Sequence, residues 1–446
     1  MKVSIREKIA YGLGDTASNF IFQTIMLFQT YFYTDIFGLS PAVAGTMFLV
    51  VRIFDAVTDP VMGSLADRTK SRWGKFRPYL LFLAIPFGIC SVIAFTTPDL
   101  SAENKIIYAY LTYGLLMLAY TAINIPYSAL GGVLTADVDE RVSVQSYRFV
   151  LGMTGGLLVS SLTLPMVDYF GNGNPAIGYQ RAMMAMSIVG VVLFLICFFG
   201  TRERVAPVND TKVSFAKEAA SLWQNDQWRI LCIAAVFLLT GMVLRTTLAI
   251  YYIKYYLLRE DLITTFVTVG MIGNMIGCAL AQPLAKRVSK IKAYIGLQLI
   301  AAFICVVSFF VGAEQIALAF VLYFLWGMFL QMATPLLWAK IADSVDYGEW
   351  KTGVRITGMT YSSVVFFIKL GVALGGAIAG WLLAYYGYQA EIAQTEETKM
   401  GILLSFTIFP AVGSVLVALV MRNYKLNNQV LANLQAETGI NRQTTA

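Results

Sequence analysis

The sequence predicts an all-α polytopic membrane protein whose twelve transmembrane helices form two six-helix bundles, and three observations carry that expectation. Of 446 residues, 58% are hydrophobic and only 13% charged, a composition no water-exposed surface tolerates. Apolar runs of about 20 residues, the length that crosses the hydrocarbon core, recur twelve times. Basic residues alternate between connections: the termini and the segments after even-numbered runs hold about 25 of the 33 Lys and Arg. The segments after odd-numbered runs hold about five, namely Lys105, Arg181, Lys254, Arg259 and Lys399. Basic residues are retained in the cytoplasm, so both termini are expected there. The net charge of +7 then reads as this bias rather than as a nucleic-acid signature.

The runs follow in order. The first, 11–35, succeeds the charged start MKVSIREK and is too long and aromatic for a cleaved signal, so a retained helix is expected. The second, 41–66, carries Arg52, Asp55 and Asp59 within apolar sequence. A charge at the bilayer centre costs about 2.5–3.5 kcal/mol on insertion scales, so such residues mark a site, and i, i+4 spacing puts both carboxylates on one face. That is what a cation pathway needs. Runs 78–97 and 106–133 come next, the latter with Tyr120, Thr121, Asn124 and Ser128, and then 148–168, opened by Arg148, and 181–201. The second set is 229–257, containing Arg245, then 263–285, 293–312, 315–342 with Trp338, 355–384 with Lys369, and 400–421.

The polar segment 202–228 divides the chain at its midpoint. It separates residues 1–201 from 229–422, with a polar cytoplasmic tail expected over 423–446. Weak echoes link the halves: Leu65-Ala-Asp-Arg68 returns as Leu284-Ala-Lys-Arg287, and Pro126, Ala136-Asp137 and Arg148 return as Pro335, Ala342-Asp343 and Arg355. Two six-helix halves of like orientation are the parallel repeat of the major-facilitator fold, whose solute site lies at the midplane. The spacings Gly371-x-x-x-Gly375 and Gly376-x-x-x-Gly380 are expected to let their helix pack closely on neighbours.

Several functions are excluded. There is no histidine, hence no His triad, His metal cluster or His proton relay. No GxxxxGK[ST] phosphate loop occurs, so an ion gradient must supply the energy for uphill transport. The five cysteines all fall within apolar runs and read as free packing residues.

Two loops are dense in charge. Gly63-Ser-Leu-Ala-Asp67-Arg68 continues through Arg72, Gly74, Lys75 and Arg77 to Pro78, and is similar to the major-facilitator loop signature. Either it anchors positive charge inside, or Asp67, Arg68, Arg72 and Arg77 form an ionic latch of a cytoplasmic gate, weak per contact and so able to open each cycle. Asp137 and Arg141 join the expected gate. The loop after the tenth run carries Asp343, Asp346 and Glu349, then Gly353 and Arg355, and is expected to form a short cytoplasmic helix and second latch.

These loops, with Tyr11-Gly-Leu-Gly-Asp15, Phe32-Tyr-Thr-Asp35, Arg52-Ile-Phe-Asp55-Ala-Val-Thr-Asp59-Pro60 and Asn124-Ile-Pro-Tyr127, together resemble the glycoside-pentoside-hexuronide:cation symporter family, of which the melibiose carrier is the best-known type. The likeness runs from about residue 5 to 425. It implies that Asp55 and Asp59 bind the coupling cation with Thr58, Thr121 and Asn124 nearby, and that Lys369 is the family's functional lysine. A snorkelling role suits Lys369 poorly, since roughly fifteen residues of its run flank it on each side. The resemblance also implies a sugar site from Asn19, Tyr120, Asn124, Ser128, Arg148 and Lys369. Departures are visible: Asn19 and Asn124 replace carrier aspartates, Ser128 a tryptophan and Val365 a threonine. Fewer oxygens weaken a sodium cage, tilting the ion toward H⁺, with Na⁺ at Asp55/Asp59 the alternative. Amides both donate to and accept from sugar hydroxyls without adding charge. Arg245 either grips a hexuronate carboxylate or balances Asp15 or Asp55, and Trp338, with Tyr251 and Tyr252, either stacks on a sugar or belongs to core or belt.

The expectation is therefore a secondary active sugar:cation symporter, working as a monomer in the lipid bilayer on a small sugar or glycoside, with no cofactor and no nucleic-acid partner. A membrane sugar sensor would need a signalling domain, against which the short expected tail weighs. An intramembrane enzyme would need a nucleophile or metal cluster beside its aspartates.

Overall fold

The computed structural model describes residues 3–135, 138–204, 215–353, 357–426 and 430, and among these it is helical without strands. Fourteen α-helices succeed one another among the described residues: α1 Ile5–Tyr31, α2 Pro41–Arg68, α3 Arg77–Ala94, α4 Ala102–Val133, α5 Val138–Gly171, α6 Pro175–Gly200, α7 Phe215–Gln224, α8 Asp226–Tyr251, α9 Ile263–Arg287, α10 Lys290–Phe309, α11 Ile316–Thr352, α12 Thr357–Tyr385, α13 Glu396–Phe406 and α14 Ile408–Met421. Several starts are written locally. Ser40 Oγ accepts from the Val43 amide with Pro41 at the first helical position, and Asn174 Oδ1 accepts from the Ala176 and Ile177 amides ahead of Pro175.

Among the described residues, eleven spans are long and apolar enough to cross a membrane, with α13 and α14 together making one. The expected first span, α1, is long enough but too polar, carrying Asp15, Thr16, Ser18, Asn19, Gln23, Thr24 and Gln29 along its length. Two of these side chains, Asp15 and Ser18, bond polar side chains of α5 and α4. Elsewhere the outward faces are apolar: Phe82, Ile85, Ile89 and Ile93 form an exposed stripe at helical spacing along α3, as lipid requires.

Cα packing divides the chain into two compact units. The first holds residues 1–209, 259–268 and 377–398, with α1 packed on α5 and α6, α3 on α4 and α6, and α2 on α4. The second holds 210–258, 269–376 and 399–446, where α14 packs on α8 and α10, and α10 also packs on α11. The expected linker 202–228 contains α7, and its residues 205–214 lie outside the described ones. An unforeseen echo appears at the ends of α1 and α8, each of which finishes in a π-helical turn, Phe32–Ile36 and Tyr252–Tyr256. Their offset of 220 matches that of the Leu65 and Leu284 repeats within one residue.

The segment after the tenth run differs from expectation. Rather than forming a separate short helix, it continues α11 unbroken to Thr352, Gly348 is helical, and the chain turns only at Gly353, left-handed with φ 70°. Glu349 and Lys351 follow Gly348, and no proline interrupts the segment before the left-handed Gly353 ends it.

Small residues set close helix approaches. A Cβ on Gly371 or Gly375 of α12 would meet the Val236 and Thr240 carbonyls and the Leu239 and Val243 side chains of α8 in the second unit, and one on Gly380 would meet Pro41 and Gly45 of α2 in the first. Gly114 faces open space. Gly375→Leu should therefore destabilise the purified protein by roughly 1–3 kcal/mol, read as a lower melting temperature in detergent, whereas Gly114→Ala leaves it unchanged or slightly raised.

Candidate solute and cation site

Helix α2 brings Asp55 and Asp59 to one face, and α4 presents Thr121 against them. The Thr121 hydroxyl makes a short hydrogen bond with Asp55 Oδ1 and lies 3.1 Å from Asp59 Oδ1. Asp55 is 1% exposed, Asp59 half-buried. A hydroxyl carries one proton, so it donates to only one of two carboxylates at a time. With both ionised, the second contact is oxygen against oxygen with no hydrogen between. Thr58, one residue before Asp59, donates to the Asp55 backbone carbonyl at 3.0 Å, which leaves its oxygen lone pairs able to accept. Arg52, buried one turn earlier, has Asp55, Tyr113 and Tyr120 as electrostatic neighbours; its guanidinium lies 5.7 Å from the Phe22 ring and reaches Met26 Sδ at 3.7 Å.

Next to this lies a second polar cluster from α1, α4 and α5. Arg148 Nε donates to Asp15 Oδ1 at 3.0 Å, Arg148 Nη2 to Ser128 Oγ at 3.4 Å, and the guanidinium sits 5.1 Å from the Tyr127 ring. Asn19 Nδ2 donates to the Asp15 carbonyl at 2.9 Å and to Asp15 Oδ2 at 3.3 Å, and Gln23 donates to Asn19 Oδ1 at 3.4 Å. Asn124 Nδ2 donates to Tyr120 Oη at 3.2 Å and accepts from Ser18 Oγ at 3.5 Å. The expected residues Asn19, Tyr120, Asn124, Ser128 and Arg148 thus come together. Asp15, Ser18 and Gln23 belong with them but were not placed there by sequence. The available signal was their polarity at helical spacing in a run that ought to be apolar.

The second unit holds the remaining candidates. Lys369 is half-buried on α12, and Trp338 is exposed on α11. Arg245 is wholly buried, 0% exposed, donating to Cys305 Sγ at 2.6 Å and Ser308 Oγ at 3.1 Å, with the Phe406 and Trp326 rings 4.4 and 4.9 Å away. It offers no atom to a solute here; aromatic faces and soft donors hold its charge. Tyr251 and Tyr252 are likewise core, Tyr252 stacked 4.2 Å from Phe406, which removes both from sugar stacking.

Of the expected gate, Asp137 and Arg355 lie outside the described residues, as do the side chains of Asp67, Arg68 and Arg141. Asp343, Asp346 and Glu349 are half-buried on α11. Arg72 stacks on Trp73 at 4.1 Å, and Arg77 donates to the Phe198 carbonyl at 2.7 Å. Partners nobody would read from the loop motif surround them. Glu203 accepts from the Lys75, Phe76 and Arg77 amides at 2.9, 2.8 and 3.0 Å, capping α3. Glu7 takes both terminal nitrogens of Arg204 at 2.8 Å, Lys8 meets Glu140 at 2.8 Å, and Asp226 meets Lys351 at 2.5 Å and Tyr347 at 2.8 Å.

Among the described residues, a helical fold with helices long and apolar enough to cross a membrane, and paired acids beside a polar cluster inside it, fits a solute transporter of the major-facilitator class. Residues 10–428 match the family model described as MFS/sugar transport protein. The chain belongs to that family, of the glycoside-pentoside-hexuronide:cation type, and is a multi-pass membrane transporter rather than an enzyme. The Inner membrane symporter YicJ of Escherichia coli (strain K12) is 45% identical over 95% of this chain and 92% of its own. The Glucuronide carrier protein homolog of the same organism is 33% identical over 98% and 96%. The crystal structure of a D-xylose-proton symporter superposes with TM-score 0.67 at 14% identity, covering 94% of this chain and 98% of that one, a likeness of fold.

Replacing Glu203 by Gln leaves one acceptor for three amides at the α3 start. It should cost about 1–2 kcal/mol, visible as a lower melting temperature of the purified protein with solute affinity retained.

Proposed function

We propose that this protein imports a small glycoside, pentoside or hexuronide by alternating access, coupled to a proton bound between Asp55 and Asp59. One observation carries the choice of ion: a single Thr121 hydroxyl lies against one oxygen of each carboxylate. Its own proton satisfies one contact. A second proton, on either carboxyl group, turns the other into a hydrogen bond. It also lowers the negative charge that Asp55 and Asp59 hold in a buried setting beside Arg52. Sodium is the alternative occupant of that position. Hard cations want several oxygens, whereas Asn124 is engaged with Tyr120 and Ser18 rather than completing a cage.

The cycle follows from this change of charge. Protonation from outside lowers the negative charge on α2 and favours closure around the sugar; reopening inward releases both. Lys369, the family's functional lysine, serves as counter-charge when the acids are empty. Both termini are cytoplasmic by the distribution of Lys and Arg, and the monomer is the working unit. The membrane potential contributes about 2.3 kcal/mol per charge per 100 mV, roughly a fiftyfold accumulation.

In proteoliposomes, an inwardly directed proton gradient should drive uphill sugar uptake, and a sodium gradient at constant pH should not. Asp55→Asn should abolish accumulation while preserving sugar exchange. Thr121→Val should reduce coupled uptake by roughly 10–100-fold, and Thr121→Ser should retain most of it. Full concentrative uptake by Asp55→Asn would contradict the assignment.

A further inference from the structure

Around Asn19 and Asn124 the polar cluster of α1, α4 and α5 carries one facing ion pair, Arg148 with Asp15, while Arg52 and Asp55 of α2 are also electrostatic neighbours of Tyr120. The pair is built in on every side. Asp15 accepts from Arg148 Nε at 3.0 Å and from Asn19 Nδ2 at 3.3 Å, and its carboxylate presses on the α5 backbone at Gly152, where any Cβ would collide with it. Arg148 is fixed by Ser128 at 3.4 Å and by the Tyr127 ring at 5.1 Å. Tyr127 in turn stacks 4.9 Å from Tyr11 and donates to the Tyr11 carbonyl at 2.7 Å. The Arg148 and Asp15 side chains keep 18% and 14% of their surface, so both remain within reach of a solute, unlike Arg245.

Resting on the sugar-symport reading, we infer that Asp15 is a specificity residue that sets the charge of the cargo: by neutralising Arg148, it makes the site take a neutral glycoside or pentoside and refuse a hexuronide. A guanidinium paired with a carboxylate presents donors beside acceptors, which suits hydroxyls, since each hydroxyl both gives and takes. A sugar acid needs the guanidinium fork for itself. Here Nε is already taken, the Arg148 charge is already compensated, and the acid would meet Asp15 as a like charge in a medium of low dielectric. The remaining side chains of the cluster, Ser18, Asn19, Gln23, Tyr120, Asn124 and Ser128, are neutral. The relative named as a glucuronide carrier homolog makes an acidic cargo the alternative to be tested.

The test is counterflow uptake by the purified full chain in proteoliposomes, using methyl xylosides and methyl glucosides alongside methyl glucuronides, which differ from the glucosides only by a carboxylate at C6. The wild type should prefer a neutral member over the glucuronides by roughly 100-fold. Asp15→Asn, close in shape but uncharged, should lower neutral uptake and shift the ratio toward the glucuronide by about tenfold or more. The double variant Asp15→Asn/Arg148→Gln, which removes both charges, should restore a neutral preference. Wild-type uptake of a glucuronide as fast as the best neutral glycoside overturns the inference and leaves sugar symport standing. So does an active Asp15→Asn protein with an unchanged ratio, or a double variant that prefers the glucuronide. No uptake of any member by the wild type overturns the sugar reading itself. Should Asp15→Asn fail to insert, the wild-type ratio and the double variant decide.

Discussion

One oxygen atom each from Asp55, Asp59 and Thr121 meets inside the first unit, where the single hydroxyl proton serves one carboxylate at a time. That crowding of acids is the constraint from which the rest follows. Asp55 is almost wholly buried and Asp59 half-buried, with Arg52 one turn earlier on α2. A monovalent cation bound there lowers the negative charge that the two acids hold. The penalty for an uncompensated charge in a low dielectric makes the two states differ in energy, and a protein with two conformations converts such a difference into a shift of population.

The same rule governs other charges described within the helices, by different means. Asp15 and Arg148 compensate one another directly, and so do Glu7 with Arg204 and Lys8 with Glu140 at the ends of the helices. Arg245 sits among Trp326, Phe406, Cys305 and Ser308, ring faces and soft donors supplying what a carboxylate supplies elsewhere. Pairs near water, such as Asp226 with Lys351, each contribute little and break readily. Cost thus rises with depth: shallow pairs suit parts that separate, and the deepest acids suit an ion that must be bound and released.

Much of this was legible in the chain because burial cost is a property of residue type. Apolar runs set the spans, and Asp55 and Asp59 stood out as expensive. Thr121 and Asn124 emerged only through resemblance, since a threonine or amide in an apolar helix is ordinary. Partnership was harder. Asp15 lies 133 residues from Arg148, and nothing local links them; Glu203 reaches back across more than 120 residues to cap α3. Arg245 announced a charge but not its surroundings, so grip and balance looked alike until its aromatic enclosure was seen. The acids after the tenth run suggested a loop because charge density resembles solvation, whereas α11 simply runs on past them.

Infrared difference spectroscopy of the purified protein in lipid tests the shared-proton account most directly, through the C=O stretch that a carboxyl group shows only when protonated. A protonated carboxyl band should be present at neutral pH without sugar, vanish in Asp55→Asn/Asp59→Asn, and stay unmoved by sodium at constant pH. Two ionised carboxylates at neutral pH, with a carboxylate band that shifts on adding sodium, would contradict it.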